Sequence, residues 1–180
     1  YTRSNGMVKA LYVEKKPEFA NRAKELIKEF KESLQIVNLT DIRVINRYLI
    51  EDLSDEAFLE AGETIFSEPP TDTSCTDMDF RKQQVIAVEY LPGQFDQRAS
   101  SAEECLQFIA PDETPTVKSA VIYILEGELS SDELEKIKEY LINPVESREA
   151  ALGVPATLRS KYPDPAPVAT VKNFINFTDA

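Results

Sequence analysis

Apolar and polar positions alternate along Lys9–Glu14, where Leu11 and Val13 stand between charged or amphipathic neighbours. A two-residue period marks a half-buried strand. From Phe19 to Leu34 the period lengthens. Phe19, Ala23, Leu26, Ile27, Phe30 and Leu34 fall on one side of a helical wheel, and Arg22, Lys24, Glu25, Lys28 and Glu29 fall on the other. That spacing predicts one amphipathic helix. A second strand is expected over roughly Ile42–Ile50. A second helix should begin at Ser54, with Asp55 and Glu56 suited to its N-terminus. Its apolar residues are Ala57, Phe58, Ala61 and Ile65, and Pro69-Pro70 is expected to stop it. The same order then returns. Strands are expected near Gln84–Tyr90 and Val117–Leu125, and helices over about Ser101–Ile109 and Ser131–Ile142. Ser101 with Glu104, and Ser130 with Glu133, have capping-box spacing.

The two halves also match residue by residue. Val13, Glu14 and Pro17 recur as Val88, Glu89 and Pro92, and one extra residue brings Phe19 onto Phe95. Ile50-Glu51 recurs as Leu125-Glu126, and each half closes on an apolar stretch followed by proline, "TIFSEP" and "YLINP". Shared order at near-constant spacing points to internal duplication. The expected fold is α+β: two strand-helix-strand-helix units forming an antiparallel sheet with helices on one face, a pseudo-dimer in one chain. The first repeat spans 7–70, a polar connector 71–83, and the second repeat 84–150. Residues 1–6 read as a tag or disordered lead. Residues 151–180 are rich in proline and read as an extended linker toward a catalytic domain outside the chain, which suggests a cut-down polypeptide.

Composition narrows the function. The chain carries 32 acidic against 20 basic residues, a formal charge of −12. Such a balance repels polyanions, so a nucleic-acid partner is not expected. It also disfavours a phosphate pocket, unless lysines and arginines cluster in space. The longest apolar runs, such as Ser119–Leu125, are too short to cross a bilayer, and no export signal opens the chain, so a cytoplasmic protein without a membrane partner is expected. Two cysteines make no disulfide framework; Cys75 falls in a polar loop, and Cys105 is expected to be a buried core thiol. Histidine is absent. The commonest general base and metal ligand is therefore missing, and the expectation is a chain with no catalytic residues, no metal and no cofactor of its own.

Several polar groups stand out against that background. Asp96-Gln97-Arg98 follows the turn at Pro92-Gly93 and has two readings. Arg98 can grip a carboxylate or phosphate with Asp96 orienting it, or the triplet simply flanks a helix. Glu14 and Glu89 hold equivalent positions, which suits ancestry better than paired-carboxylate chemistry. Lys15-Lys16 reads as a solvated strand end. Gly93, Gly127 and Gly153 form no phosphate-cradling loop. The segment 143–150, "NPVESREA", is either a linker start or a docking surface.

Taken together, "YVEKKPEF", "VINRY", "FSEPPTD", "AVEYLPGQFDQRASSAEECLQ", "PTVKSAVIYILEGELS" and "INPVESREA" resemble one family. It is the N-terminal part of the large single-chain phosphoribosylformylglycinamidine synthases of the clostridial and Bacteroides type, and the resemblance runs from about Val8 to Ala151. It implies a parent ligase of purine biosynthesis, a glutamine amidotransferase using ATP and magnesium to convert formylglycinamide ribonucleotide to its amidine. The ATP, substrate and glutaminase residues of that enzyme would lie outside these 180 residues. The N-terminal region resembles a duplicated small accessory subunit. The resemblance therefore implies a non-catalytic assembly domain whose partners are the synthetase and glutaminase domains of the same parent chain. Gln94, Asp96, Gln97 and Arg98 are its candidate interdomain contacts. The isolated piece would be a monomeric pseudo-dimer, prone to self-association where its partner is missing. The alternative expectation is a small-molecule-binding regulatory module, with the ligand held between the two copies.

Overall fold

A computed structural model describes residues 6–159. Residues 1–5 of the expected tag or disordered lead (1–6), and residues 160–180 of the expected linker, lie outside the described residues. Six strands make one antiparallel sheet: β1 (Lys9–Lys15), β2 (Leu39–Glu51), β3 (Asp72–Cys75), β4 (Gln84–Tyr90), β5 (Thr116–Gly127) and β6 (Ser147–Glu149). Their order is β3-β1-β2-β5-β4-β6. Four helices complete the α+β fold: α1 (Asn21–Ser33), α2 (Asp55–Thr64), α3 (Gln97–Ile109) and α4 (Ser131–Leu141).

The sheet carries the duplication in its register. Val13 lies opposite Asn46, and Val88 opposite Val121. Lys15 lies opposite Asp72, and Tyr90 opposite Ser147. At the centre Asn46 pairs with Val121, its own counterpart in the second repeat. Two equivalent strands can pair antiparallel at an equivalent residue only about a local two-fold axis. The internal dyad therefore passes through the Asn46–Val121 pair.

The helices pack against one face, as the alternation predicts. Leu11, Val13, Tyr48, Ile50 and Val117 meet α2 and α3 through Phe58, Ala61, Ala102 and Leu106. Ile42, Ile86 and Leu125 meet α1 and α4 through Leu26, Phe30 and Ile137. The opposite face is covered without a helix: Tyr12, Ile45, Ile122 and Ile124 lie under Met78, Phe80, Leu152 and Leu158. The described start of the expected linker is held down there. Arg47 Nη1 donates to the Ala151 carbonyl at 2.6 Å, and Glu51 accepts from Thr157 Oγ1 at 2.7 Å and from the Leu158 N–H at 2.8 Å.

Local expectations change in five places. Phe19 ends a 3-10 turn over Pro17–Phe19 instead of joining α1, and it is exposed. Helix α2 ends at Thr64, well before Pro69, because the chain turns to seat Phe66 against Tyr48, with ring centroids 4.6 Å apart. Helix α3 starts at Gln97, so Ser101 lies inside it and forms no cap; Asp96 is the cap. The connector and the 143–150 segment each hold a short strand, β3 and β6, at the two sheet edges. Cys105 is exposed, since the face of α3 that packs on the sheet runs through Ala99, Ala102 and Leu106 and leaves position 105 to one side. The capping box at Ser130 and Glu133 is present as expected. Among the described residues no helix is long and apolar enough to cross a membrane.

Candidate functional site

The dyad brings two arginines toward one space. Helices α1 and α3 are equal in length and open on Asn21-Arg22-Ala23 and Gln97-Arg98-Ala99. Arg22 and Arg98 are thus counterparts in the two repeats. Both line a cavity of about 770 Å³ on the helical face, beside the axial pair Asn46 and Val121. Its floor includes Val44, Val121 and Tyr123, and its wall includes Ala20, Ala23 and Ile27 at the start of α1.

Its charge runs against that of the whole chain. Lys15, Lys16, Arg22, Lys24, Arg43 and Arg98 line it, against only Glu14 and Asp41. The basic residues do not cancel alike. Arg43 is bound twice to Glu14, at 2.9 and 2.6 Å, which raises the Arg43 pKa through that hydrogen bond. Lys15 reaches Asp72 at 2.8 Å, and Lys16 donates to the carbonyls of Pro69 and Pro70. Lys15 is exposed at the end of β1 and Lys16 half-buried just after it, a solvated strand end as expected, with both side chains engaged in these surface contacts. Among the described residues Arg22 meets Glu25, at 3.8 Å, and Arg98 donates to the Tyr48 hydroxyl at 3.4 Å. Tyr123 is the counterpart of Tyr48. Burial raises its pKa, while the nearby charges of Arg22 and Arg98 pull it the other way.

The triplet 96–98 therefore divides into two roles. Asp96 is a folding residue. Its carboxylate accepts from the Ala99 N–H at 2.9 Å, from the Ser119 N–H at 3.0 Å and from Ser119 Oγ at 2.9 Å, clamping α3 to β5. Gln97 is exposed, and Arg98 turns into the cavity. Gln94 donates to the Val145 carbonyl at 3.4 Å, tying the corner to the turn before β6. Glu14 and Glu89 do not form a carboxylate pair: Glu14 is spent on Arg43, and Glu89 on Arg148 at 2.7 Å. Among the described residues no group of three or more His, Cys, Asp or Glu is placed to hold a metal ion.

Sequence reasoning singled out Arg98 but not Arg22. The signal was present in the "NRA" and "QRA" that open equivalent helices. Chemically, the arrangement offers positive charge, hydroxyl and amide groups above an apolar floor, which suits binding better than proton transfer. No protein-family model and no curated protein matches the chain.

Proposed function

We propose that this chain is a non-catalytic assembly domain of a phosphoribosylformylglycinamidine synthase, docking in the cytoplasm against the synthetase and glutaminase parts of the parent enzyme. The observation that carries the reading is the single sheet with a dyad at Asn46–Val121. One chain thereby supplies the body that two copies of a small accessory subunit would otherwise make. Ammonia released at a glutaminase must reach an electrophile before it escapes to water, so the two active sites need fixed relative geometry. A domain built on one continuous sheet, with its two repeats locked through β2 and β5, provides that stiffness.

The corner Leu91–Arg98 suits the contact. Phe95 is 72% exposed, with Gln94, Gln97 and Arg98 exposed around it. An aromatic anchor ringed by polar groups and an arginine matches the composition of an interface centre. ATP and magnesium belong, in this reading, to the parent enzyme.

The test is reconstitution. The chain is mixed with a separately produced synthetase–glutaminase portion, and amidine formation is followed with glutamine and with free ammonia. The chain alone should turn over nothing. Its addition should raise the glutamine-dependent rate more than the ammonia-dependent rate, and Phe95→Asp should weaken the association. Turnover by the chain alone, or full glutamine-dependent activity without any association, overturns the reading.

A further inference from the structure

We infer that the cavity at the internal dyad is a binding site for a small organic anion, one with an apolar body and a phosphate or carboxylate head held between Arg22 and Arg98. This inference does not rest on the assembly reading, although Arg98 is common to the docking corner and to the cavity.

Three independent features lead to it. First, the cavity gathers six basic and two acidic residues in a chain whose overall balance is 20 to 32. One of the two acids, Glu14, is already neutralised by Arg43. Arg22 has a 3.8 Å contact with the exposed Glu25, Arg98 has no carboxylate partner among the described residues, and the two arrive from opposite repeats. Two planar forks facing one space are suited to a shared oxyanion. Second, the volume of about 770 Å³ lies in the range of small-molecule sites, and Ile27, Val44 and Val121 give it an apolar wall.

Third, the second repeat shows what fits. There Asp96 places a carboxylate at the N-terminus of α3, bonded to Ala99 and Ser119. Its counterpart in the first repeat is Ala20, which lines the cavity and leaves α1 without a side-chain cap. The other filler of the second repeat is Glu103, which accepts from the Val117 N–H at 2.7 Å. Its counterpart is Ile27, on the cavity wall. Where the second repeat places these two carboxylates, the first has Ala20 and Ile27 and stays open. An incoming anion would stand where Asp96 stands, with its body against Ile27.

The experiment titrates the full chain with phenyl phosphate, phenylacetate and inorganic phosphate, read by calorimetry and by amide NMR shifts. Phenyl phosphate or phenylacetate should bind, and the tighter of the two names the head group. Inorganic phosphate, lacking the apolar body, should bind more weakly than phenyl phosphate. Arg22→Gln and Arg98→Gln should each weaken binding about tenfold or more, and Lys31→Gln, on the far end of α1, should not. Ala20→Asp should abolish binding while leaving thermal stability equal or higher, since it installs the cap already present in the other repeat. That variant separates loss of the site from loss of the fold. The inference is overturned if no probe binds below about 10 mM, or if binding survives Ala20→Asp or either arginine substitution unchanged.

Discussion

The two repeats share a backbone and differ in how they spend their polar groups. Strand for strand the register is the same, down to Lys15–Asp72 and Tyr90–Ser147 at the sheet edges. Yet the first of those pairs is an ion pair and the second is neutral. The first repeat binds Glu14 through a central strand at Arg43, whereas the second binds the equivalent Glu89 through an edge strand at Arg148. The first leaves α1 uncapped beside a cavity; the second caps α3 and seals it to β5. Register is set by apolar alternation and hydrogen-bonded pairing, which both copies must keep to share one sheet. Polar substitutions on top of that frame alter local closure without moving a strand. One copy thus holds an open cavity where the other is closed by its own side chains.

The sharpest break would come from the core. Phe30 and Leu106 are counterparts and are fully buried. Phe30→Ala should cost about 3–5 kcal/mol and Leu106→Ala about 2–5 kcal/mol, read by urea unfolding. Each variant should retain a single transition, because β2 and β5 join the repeats along their full length. Two separate transitions would show the repeats to be independent units.

Next comes the end of each central strand. Gly127 and Asp52 are counterparts, and both have positive φ, 135° and 63°. A Cβ on Gly127 would lie 2.2 Å from the Asn38 carbonyl oxygen. Gly127→Ala should therefore destabilise by about 1–3 kcal/mol, while Asp52→Gly should change stability by less than about 1 kcal/mol. Equal effects at the two positions would mean that the difference in crowding has no energetic weight.

The helix caps provide a smaller contrast. Asp96→Ala should cost about 1–2 kcal/mol, since it removes bonds to both Ala99 and Ser119. Ala20→Gly, at the matching position, should cost no more than about 0.5 kcal/mol. Thermal unfolding of the two variants side by side measures the difference.

The smallest effect concerns pH. Burial by itself would raise the Asp72 pKa, but the Lys15 ammonium and the Glu68 N–H outweigh it and hold the carboxyl below its ordinary value. The unfolded chain then takes up this proton first as pH falls. The stabilisation is fully present above about pH 4 and is lost as pH drops through the depressed folded value. Asp72→Asn should flatten the acid limb of the stability curve, and Ser147→Ala, at the matching edge, should leave that slope alone.

Some of this was legible in the chain and some was not. Periodicity located β1, β4 and α4 closely, and the offset between Val13 and Val88 revealed the duplication, because burial alternates with local backbone geometry. The strands β3 and β6 escaped. They are four and three residues long, polar, and held by pairing with one neighbour, so they carry no periodic signal. The start of α3 escaped because "QRAS" adds only one apolar residue, Ala99, to the stripe, and the helix is fixed there by a contact with Ser119 on a distant strand. Asp96 and Arg98 stand together in the sequence, and only their neighbours across space separate the clamp from the cavity residue.

By itself, then, the sequence determined that two α+β units of like pattern would fold with helices on one side of an antiparallel sheet, and that no histidine chemistry would be housed there. Only the tertiary structure decided that the units meet at Asn46 and Val121, and that Arg22 and Arg98 face one space. The reason is physical. Alternation and helical period are local consequences of chain geometry, whereas the meeting of residues far apart depends on which strands pair, and in what register.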